Sequence, residues 1–189
     1  MHPLAALLVL AAVALAAPAA EARSLTIETG KYGVRKLGPL DTRSTPSHSP
    51  TVAAARRALG RPSNVFPNGG SGCVGKWRRL GLRIVFADFG GGTGPVCGRA
   101  KAQSFTIHRS HTWRTWKGLR IGMAQAELQR RHPRARWVDD DEFYADGWWL
   151  RSSISPFGGG ARTPVLAATV RGADPRVSSF YGWIGAAGE

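Results

Sequence analysis

The chain of 189 residues carries 26 Lys and Arg residues against 12 Asp and Glu residues, which gives a formal charge of +14 at pH 7. This length accommodates one domain or two small ones. Beyond the first 22 residues no segment is apolar enough to cross a bilayer, which excludes a protein with several membrane spans. The charge attracts polyanions such as acidic wall polymers, anionic lipid or nucleic acid. Because the basic residues are scattered along the chain, weak nonspecific attraction is the alternative.

The first 22 residues have the pattern of a secretory signal. Residues 4–17 are almost entirely Leu, Val and Ala without charge, and a small-residue A-x-A site follows at residues 20–22. A retained membrane anchor is the alternative, because His2 is the only basic group before the apolar run. Cleavage would leave 26 basic against 11 acidic residues, a charge of +15. We therefore expect a secreted or cell-envelope-associated protein whose mature chain has no transmembrane span.

A helix is predicted at residues 50–59, where Val52, Ala55 and Leu59 recur on one face. Ser49 can cap this helix, and Pro50 fits its first turn because the missing N–H needs no partner there. Gly60 and the proline two residues later end it. The strands predicted next lie at residues 74–78, 82–89 and 103–107. Together these elements predict a meander with one face on the helix.

Two cysteines, Cys73 and Cys97, belong to this first segment. An even count in an exported chain predicts a disulfide, which would close a loop of about 25 residues. Zinc is the alternative, but isolated cysteines without a C-x-x-C pair or a nearby His argue against it. No cysteine precedes Cys73, which excludes a lipid-anchored cleavage site.

A second segment repeats this plan, with a short helix at residues 124–131. Its predicted strands lie at residues 148–154, 164–171 and 177–183. Alternation in the last strand separates two faces. One face is expected to hold Val177, Ser179, Tyr181 and Trp183, and the other Phe180 and Ile184.

Shared landmarks suggest that the two segments are copies of one unit. The sequence F-G-G-G occurs at residues 89–92 and 157–160, and Trp77 precedes Trp148 by 71 residues. Ser-Phe pairs also recur, at residues 104–105 and 179–180. The predicted fold is therefore α+β, with two tandem helix-plus-antiparallel-meander repeats packed together. We assign the first repeat, with its disulfide, to residues 23–110 and the second to residues 111–189.

Aromatic residues are the best candidates for binding, since six of the seven tryptophans lie in the second half. Trp148 and Trp149 are adjacent, so in a strand their side chains point to opposite faces. One can enter the core while the other meets a partner, although core packing of both is the alternative. The binding residues predicted on this basis are Trp148, Trp149, Tyr181 and Trp183.

The acidic run at residues 139–142, with Asp146 nearby, could bind calcium through carboxylate oxygens. Its spacing departs from the calcium-loop pattern because Phe143 takes the third ligand position. A solvated loop, a contact for a basic partner, or pairing with arginines between the repeats are the alternatives. We predict no metal site.

No catalytic arrangement is recognisable in the sequence. The mature histidines, expected on the surface or in linkers, are His48, His108, His111 and His132. A triad of His108, Ser110 and Asp88 has no G-x-S-x-G elbow to support it. The glycine run at residues 90–94 lacks the Gly-Lys-Ser/Thr ending of a phosphate-binding loop. We therefore expect neither enzymatic activity nor a cofactor.

Residues 118–128, with the sequence GLRIGMAQAEL, resemble a known repeat opening. The segment is similar to the G-L-x-x-G-M-[ST]-x-x-[EQ]-[VL] start of repeats in β-lactamase-inhibitory-protein-like domains and of small outer-membrane-assembly lipoproteins. The resemblance implies a short helical element before an antiparallel sheet, used twice in tandem. Ala124 replaces the capping Ser/Thr, and the first repeat has L-G-P-L at residues 37–40 in place of the opening. No binding residue can be carried over.

These features predict a secreted, non-enzymatic binding or inhibitor-like module that uses an open sheet face with aromatic residues. Its expected partner is an extracellular protein or a cell-envelope polymer, with no specific nucleic acid. One alternative is an envelope-associated factor held by charge on anionic wall polymer or membrane. The other is a secreted hydrolase that uses His108 or His111.

Overall fold

The computed structural model describes residues 24–31, 33–42, 49–69, 71–88, 90, 95–139, 147–154 and 162–184. These residues form a mostly β structure with a few short helices. The helices are α1 Val52–Leu59, α2 Val96–Arg99 and α3 Gln125–Arg131, and a 3-10 turn spans Arg78–Leu80. A small mixed sheet contains β1 Leu25–Thr29, β2 Val34–Leu37, β3 Leu40–Asp41 and β8 Trp113–Thr115. The large sheet contains β4 Asn64–Pro67, β5 Gly72–Trp77, β6 Leu82–Ala87, β7 Lys101–His108, β9 Arg136–Val138, β10 Gly147–Ile154, β11 Arg162–Arg171 and β12 Arg176–Trp183.

The large sheet is antiparallel and has the strand order β4-β5-β6-β7-β12-β11-β10-β9. Strands from the first part of the chain form one half of the sheet, and strands from the second part form the other half. The halves meet where β7 pairs with β12, with Phe105 opposite Gly182 and Ile107 opposite Phe180. A Cβ on Gly182 would lie 2.6 Å from the Phe105 ring, so glycine permits this close approach.

One face of the large sheet carries the core. The cross-strand row Leu82–Ile107–Phe180–Ala168 is fully or almost fully buried on this face. The small sheet and two helices contribute Ile27, Ala55 and Leu128 to the same apolar cluster. These elements therefore cover one side of the sheet, and the other side is available for polar residues.

The predicted strands are confirmed to within two residues, but several short elements were missed. A short leading strand predicted at residues 25–27 is confirmed as the start of β1. The edge strands β4 and β9 and the other strands of the small sheet, β2, β3 and β8, were not expected, because strands of two to four residues carry little periodic signal. The predicted cap of α1 is wrong. Thr51, not Ser49, caps the helix by accepting a 3.2 Å hydrogen bond from the Ala54 N–H, and Ser49 is buried.

A β-bulge corrects the predicted faces of β12. Thr169 pairs with Ser179 and Val170 pairs with Val177, so Ser178 is the extra residue. The bulge reverses the alternation and turns Val177 into the core beside Phe180, whereas the sequence had placed it with Tyr181. The predicted shared face of Tyr181 and Trp183 is confirmed, because their rings make an edge-to-face contact at 6.2 Å.

The tandem repeat remains a prediction. Trp77 is the last residue of β5 and Trp148 is the second residue of β10, so their spacing does not mark equivalent positions. The two F-G-G-G sequences, the signal segment and all of the acidic run except Asp139 lie outside the described residues.

The predicted disulfide is confirmed. Cys73 in β5 and Cys97 in α2 are 24 residues apart in sequence, and their Cα atoms are separated by 5.4 Å. Cys73 is fully buried, so the bond fastens α2 to the interior of the sheet. A disulfide is typical of an oxidising, extracytoplasmic compartment.

Removing the disulfide should destabilise the fold. For a loop of this length the chain-entropy model assigns about 3 kcal/mol to the cross-link. We expect Cys73→Ala/Cys97→Ala to lower the free energy of unfolding by about that amount in urea titrations. Reduced wild-type protein should match the double variant, and a double variant as stable as the oxidised protein would contradict this expectation.

Candidate functional site

A row of basic and aromatic residues crosses the face of the large sheet opposite the core. Consecutive cross-strand pairs define this basic-aromatic row as Lys76, Arg83, Thr106, Tyr181, Ala167, Trp149 and Arg136. Directly opposed residues in an antiparallel sheet point to the same side. The row therefore crosses seven strands, from β5 to β9, through six strand pairings, so it brings together residues that are distant in sequence.

The aromatic part of the row lies in the second half of the sheet. Trp149 and Tyr181 are both half-buried and flank Ala167, whose side chain is only 7% exposed. Trp183 adds a second ring beside Tyr181. These rings form an aromatic patch on this face, and half-buried Trp and Tyr side chains are residue types that favour partner binding.

The structure brings together three of the four predicted binding residues. Trp149, Tyr181 and Trp183 share the row's face, as alternation along their strands requires. Trp148 lies on the other face, where it packs against the core and makes an edge-to-face contact with Trp137 at 6.1 Å. Trp148 thus extends the core toward the sheet edge and does not join the aromatic group.

The cationic part of the row was missed in the sequence. Arg83 and Arg136 are exposed, and the Lys76 ammonium lies 5.0 Å from the centre of the Phe66 ring. In β6 the buried residues alternate with Arg83 and Val85, and this alternation indicates that Arg83 faces away from the core. Strand register was needed to place it in line with Trp149.

Four carboxylates among the described residues form ion pairs with arginines that lie outside this row. The pairs are Glu28 with Arg35, Asp88 with Arg99, Glu127 with Arg130 and Arg131, and Asp174 with Arg176. The Arg99 guanidinium and the Gly90 N–H lower the pKa of Asp88, so this carboxylate is already engaged and does not orient His108. Within the described residues, the row thus has three cations and no acid.

A basic cleft of about 710 Å³ adjoins the Arg83 end of the row. Its walls are the Arg78–Leu80 turn and the residues that follow β7. Gly81 connects the two walls, because its N–H donates to the Arg78 carbonyl and its carbonyl accepts from the His108 N–H. Gly81 has a φ of 61°, and a Cβ there would lie 2.2 Å from the His108 carbonyl oxygen. Only glycine fits this position, for conformational and steric reasons together.

A second cleft, of about 910 Å³, lies at the Trp149 end, beyond the short strand β9. Trp116 and Trp149 line it with several cations, which are Lys117, Arg134, Arg136, Arg151 and Arg162. Clefts with cations thus flank the aromatic patch on both sides. This arrangement suits reversible contact with acidic or planar groups.

The buried histidine at the base of the second cleft corrects one expectation. His132 was predicted on the surface, but it is 2% exposed, and its Nε2 lies 3.0 Å from Thr115 Oγ1. The Leu119 N–H donates to the same oxygen, so the Thr115 hydroxyl can donate to a neutral imidazole. Burial, with the charges of Lys117 and Arg131, lowers the pKa of His132 to about 4.

Within the described ranges, no group of three or more His, Cys, Asp or Glu side chains could hold a metal ion. No helix in that part of the chain is both long and apolar enough to span a bilayer. Comparison of the chain with protein-family models, with curated proteins and with solved structures finds no match. The site therefore has to be interpreted from its own geometry.

His132 should make stability depend on pH. Its pKa in the unfolded chain is near 6.5, so the unfolded state takes up a proton that the folded state resists until about pH 4. We expect up to about 3 kcal/mol of stability to be lost as pH falls through this window. Urea titrations at several pH values measure the loss.

His132→Gln should flatten that pH dependence, although it lowers stability at pH 7. His111→Gln is the matched control, because His111 is exposed, and it should retain the full dependence. An unchanged slope in His132→Gln would show that other groups cause the acid loss.

Proposed function

We propose that the protein is a secreted, non-enzymatic binding module that engages its partner through the basic-aromatic row. The observation that carries this proposal is the row itself, in which Trp149 and Tyr181 flank a small residue between cations at both ends. Trp, Tyr and Arg are the residue types that contribute most to protein interfaces. Inhibitor-like capture of an extracellular protein is the form of binding that this surface fits best.

The charges of the row indicate the chemistry of the partner. Lys76, Arg83 and Arg136 face an incoming molecule without a described carboxylate among them. An acidic protein surface that also presents an apolar or aromatic side chain would contact both the cations and the aromatic patch. Electrostatic attraction would accelerate its association, and the aromatic contact would slow its dissociation.

We infer that the fold consists of two related units, residues 23–110 and 111–189. A helix precedes four strands in each half of the large sheet, and the recurring Ser-Phe pairs fall in β7 and β12, which are neighbours at the centre. The resemblance of residues 118–128 to the repeats of β-lactamase-inhibitory-protein-like domains supports this inference. In that segment Met123 packs against the core and Leu128 is buried, as a helical repeat opening requires.

Substitution of the row tests the proposal directly. Immobilised mature protein is incubated with a cell-envelope and culture-medium extract, and captured proteins are quantified by mass spectrometry. Trp149→Ala/Tyr181→Ala should reduce capture of the specific partner at least about tenfold, since interface aromatics commonly contribute more than 1 kcal/mol each. Trp137→Ala is the matched control, because this tryptophan is 49% exposed and lies on the opposite face.

Equal unfolding free energies for the variants confirm that the surface alone has changed. Equal capture by the double variant and the wild type would reject the row as the binding surface. Absence of any protein captured above the level of a bare matrix would reject the binding module itself.

A second candidate is retention on anionic wall polymer or membrane by charge, which the net charge of +14 favours. This candidate predicts that protein bound to isolated cell envelopes is released between about 0.15 M and 1 M salt, where the screening length falls from about 8 Å to 3 Å. Sedimentation of the envelopes followed by immunoblotting measures release. Retention that does not change with salt would reject this candidate.

A further inference from the structure

The basic cleft beside Gly81 has the composition of an anion site that the row does not explain. Its cationic lining consists of Lys76, Arg78, Arg79, Arg83 and Arg109, with His108 and His111 beside them. Two of these residues, Lys76 and Arg83, also belong to the row. The others come from the Arg78–Leu80 turn and the segment after β7, and they lie outside the row.

Hydrogen bonds hold the two walls of the cleft in place. The Gly81 N–H donates to the Arg78 carbonyl at 3.0 Å, and the His108 N–H donates to the Gly81 carbonyl at 2.8 Å. Trp113, which is fully buried, donates its indole N–H to the Leu80 carbonyl at 2.8 Å. The backbone that carries the arginines is therefore fixed before any ligand arrives, which lowers the entropic cost of binding.

Arg109 occupies an unfavourable backbone conformation in this wall. Its φ is 52°, and it is the one residue other than glycine with a positive φ in the described ranges. A left-handed conformation costs a non-glycine residue about 1 kcal/mol or more. Glycine or asparagine would relieve the strain, so a long cation at this position indicates a use for its charge.

In the part of the chain that the structure describes, the arginines of the cleft form no ion pair with an acidic side chain. None of the ion pairs among the described residues involves Arg78, Arg79, Arg83 or Arg109. Partial burial, with the charges of Arg171 from β11, Arg109 and Arg83, lowers the pKa of His108. Three guanidinium groups thus act on the same imidazole, and an anion bound in the cleft would offset their charge.

We propose that the cleft between the Arg78–Leu80 turn and Arg109 binds a phosphate group. Guanidinium forks match two phosphate oxygens at a time, and several of them together favour a multiply charged oxyanion over a single carboxylate. The volume of about 710 Å³ admits more than one phosphate. The site does not require that Trp149 and Tyr181 bind a partner, so the two proposals can fail separately.

Calorimetry with inorganic pyrophosphate tests the site in the mature protein. We expect saturable binding that weakens at least about tenfold in Arg79→Gln/Arg109→Gly, which removes two cations and relieves the strain at residue 109. Arg134→Gln/Arg151→Gln is the matched control, because it removes two cations from the other cleft and should bind pyrophosphate like the wild type. Equal weakening in both double variants, or no saturable binding, would overturn the proposal.

Two further arms identify the source of the phosphate and the location of the bound anion. Vesicles containing phosphatidic acid test a lipid headgroup; binding that is lost in Arg79→Gln/Arg109→Gly assigns the site to lipid phosphate, and binding of pyrophosphate alone assigns it to a free phosphate compound. In nuclear magnetic resonance titrations, pyrophosphate should raise the pKa of the His108 imidazole, since it offsets the charges of Arg83, Arg109 and Arg171. An unchanged His108 pKa at saturation would place the anion elsewhere and overturn the assignment.

Discussion

The pairing of β7 with β12 is the constraint on which the rest of the structure depends. These strands come from distant parts of the chain, and their five opposed residue pairs join two four-stranded halves into one sheet. The register places Ile107 against Phe180 on one face and Thr106 against Tyr181 on the other. A slip of one residue would exchange the two faces and bury the polar side chains.

Both the core and the basic-aromatic row follow from that register. Phe105 and Gly182 fit together because one side chain is large and the other is absent, which brings the central strands into close contact. The bulge at Ser178 then allows β12 to contribute Val177 to the core and still present Tyr181 on the opposite face. The bulge therefore lets one strand supply apolar residues to the core face and an aromatic residue to the opposite face.

The sequence predicted most of the regular elements but little of their assembly. Alternation and helical periodicity identified the long strands and two helices, because each pattern is contained in about eight residues. The disulfide followed from the cysteine count and the export signal. The bulge and the buried His132 depend on packing against other elements, and no local pattern encodes them. The Thr51 cap is local, but Ser49 followed by Pro50 offered the same chemistry two residues earlier.

For the candidate site, too, the sequence predicted individual residues but not their arrangement. Trp149, Tyr181 and Trp183 were predicted because adjacent aromatics in strands suggest an exposed ring. Their alignment with Lys76, Arg83 and Arg136 depends on six successive strand pairings, which the sequence alone does not specify. Arg109 was missed because an unfavourable φ has no signature in composition or spacing.

The basic-aromatic row crosses the boundary between β7 and β12. Binding of a molecule to the row is therefore thermodynamically linked to the pairing of the two halves of the sheet. A molecule that contacts Arg83 on one side and Trp149 on the other binds the joined sheet and not the separated halves. Its binding energy would add to the resistance of that boundary to opening, and hydrogen exchange of the central amides would slow with it. The Cys73–Cys97 disulfide lies within the first half and does not cross this boundary. A bound molecule would therefore stabilise a boundary that the disulfide does not hold.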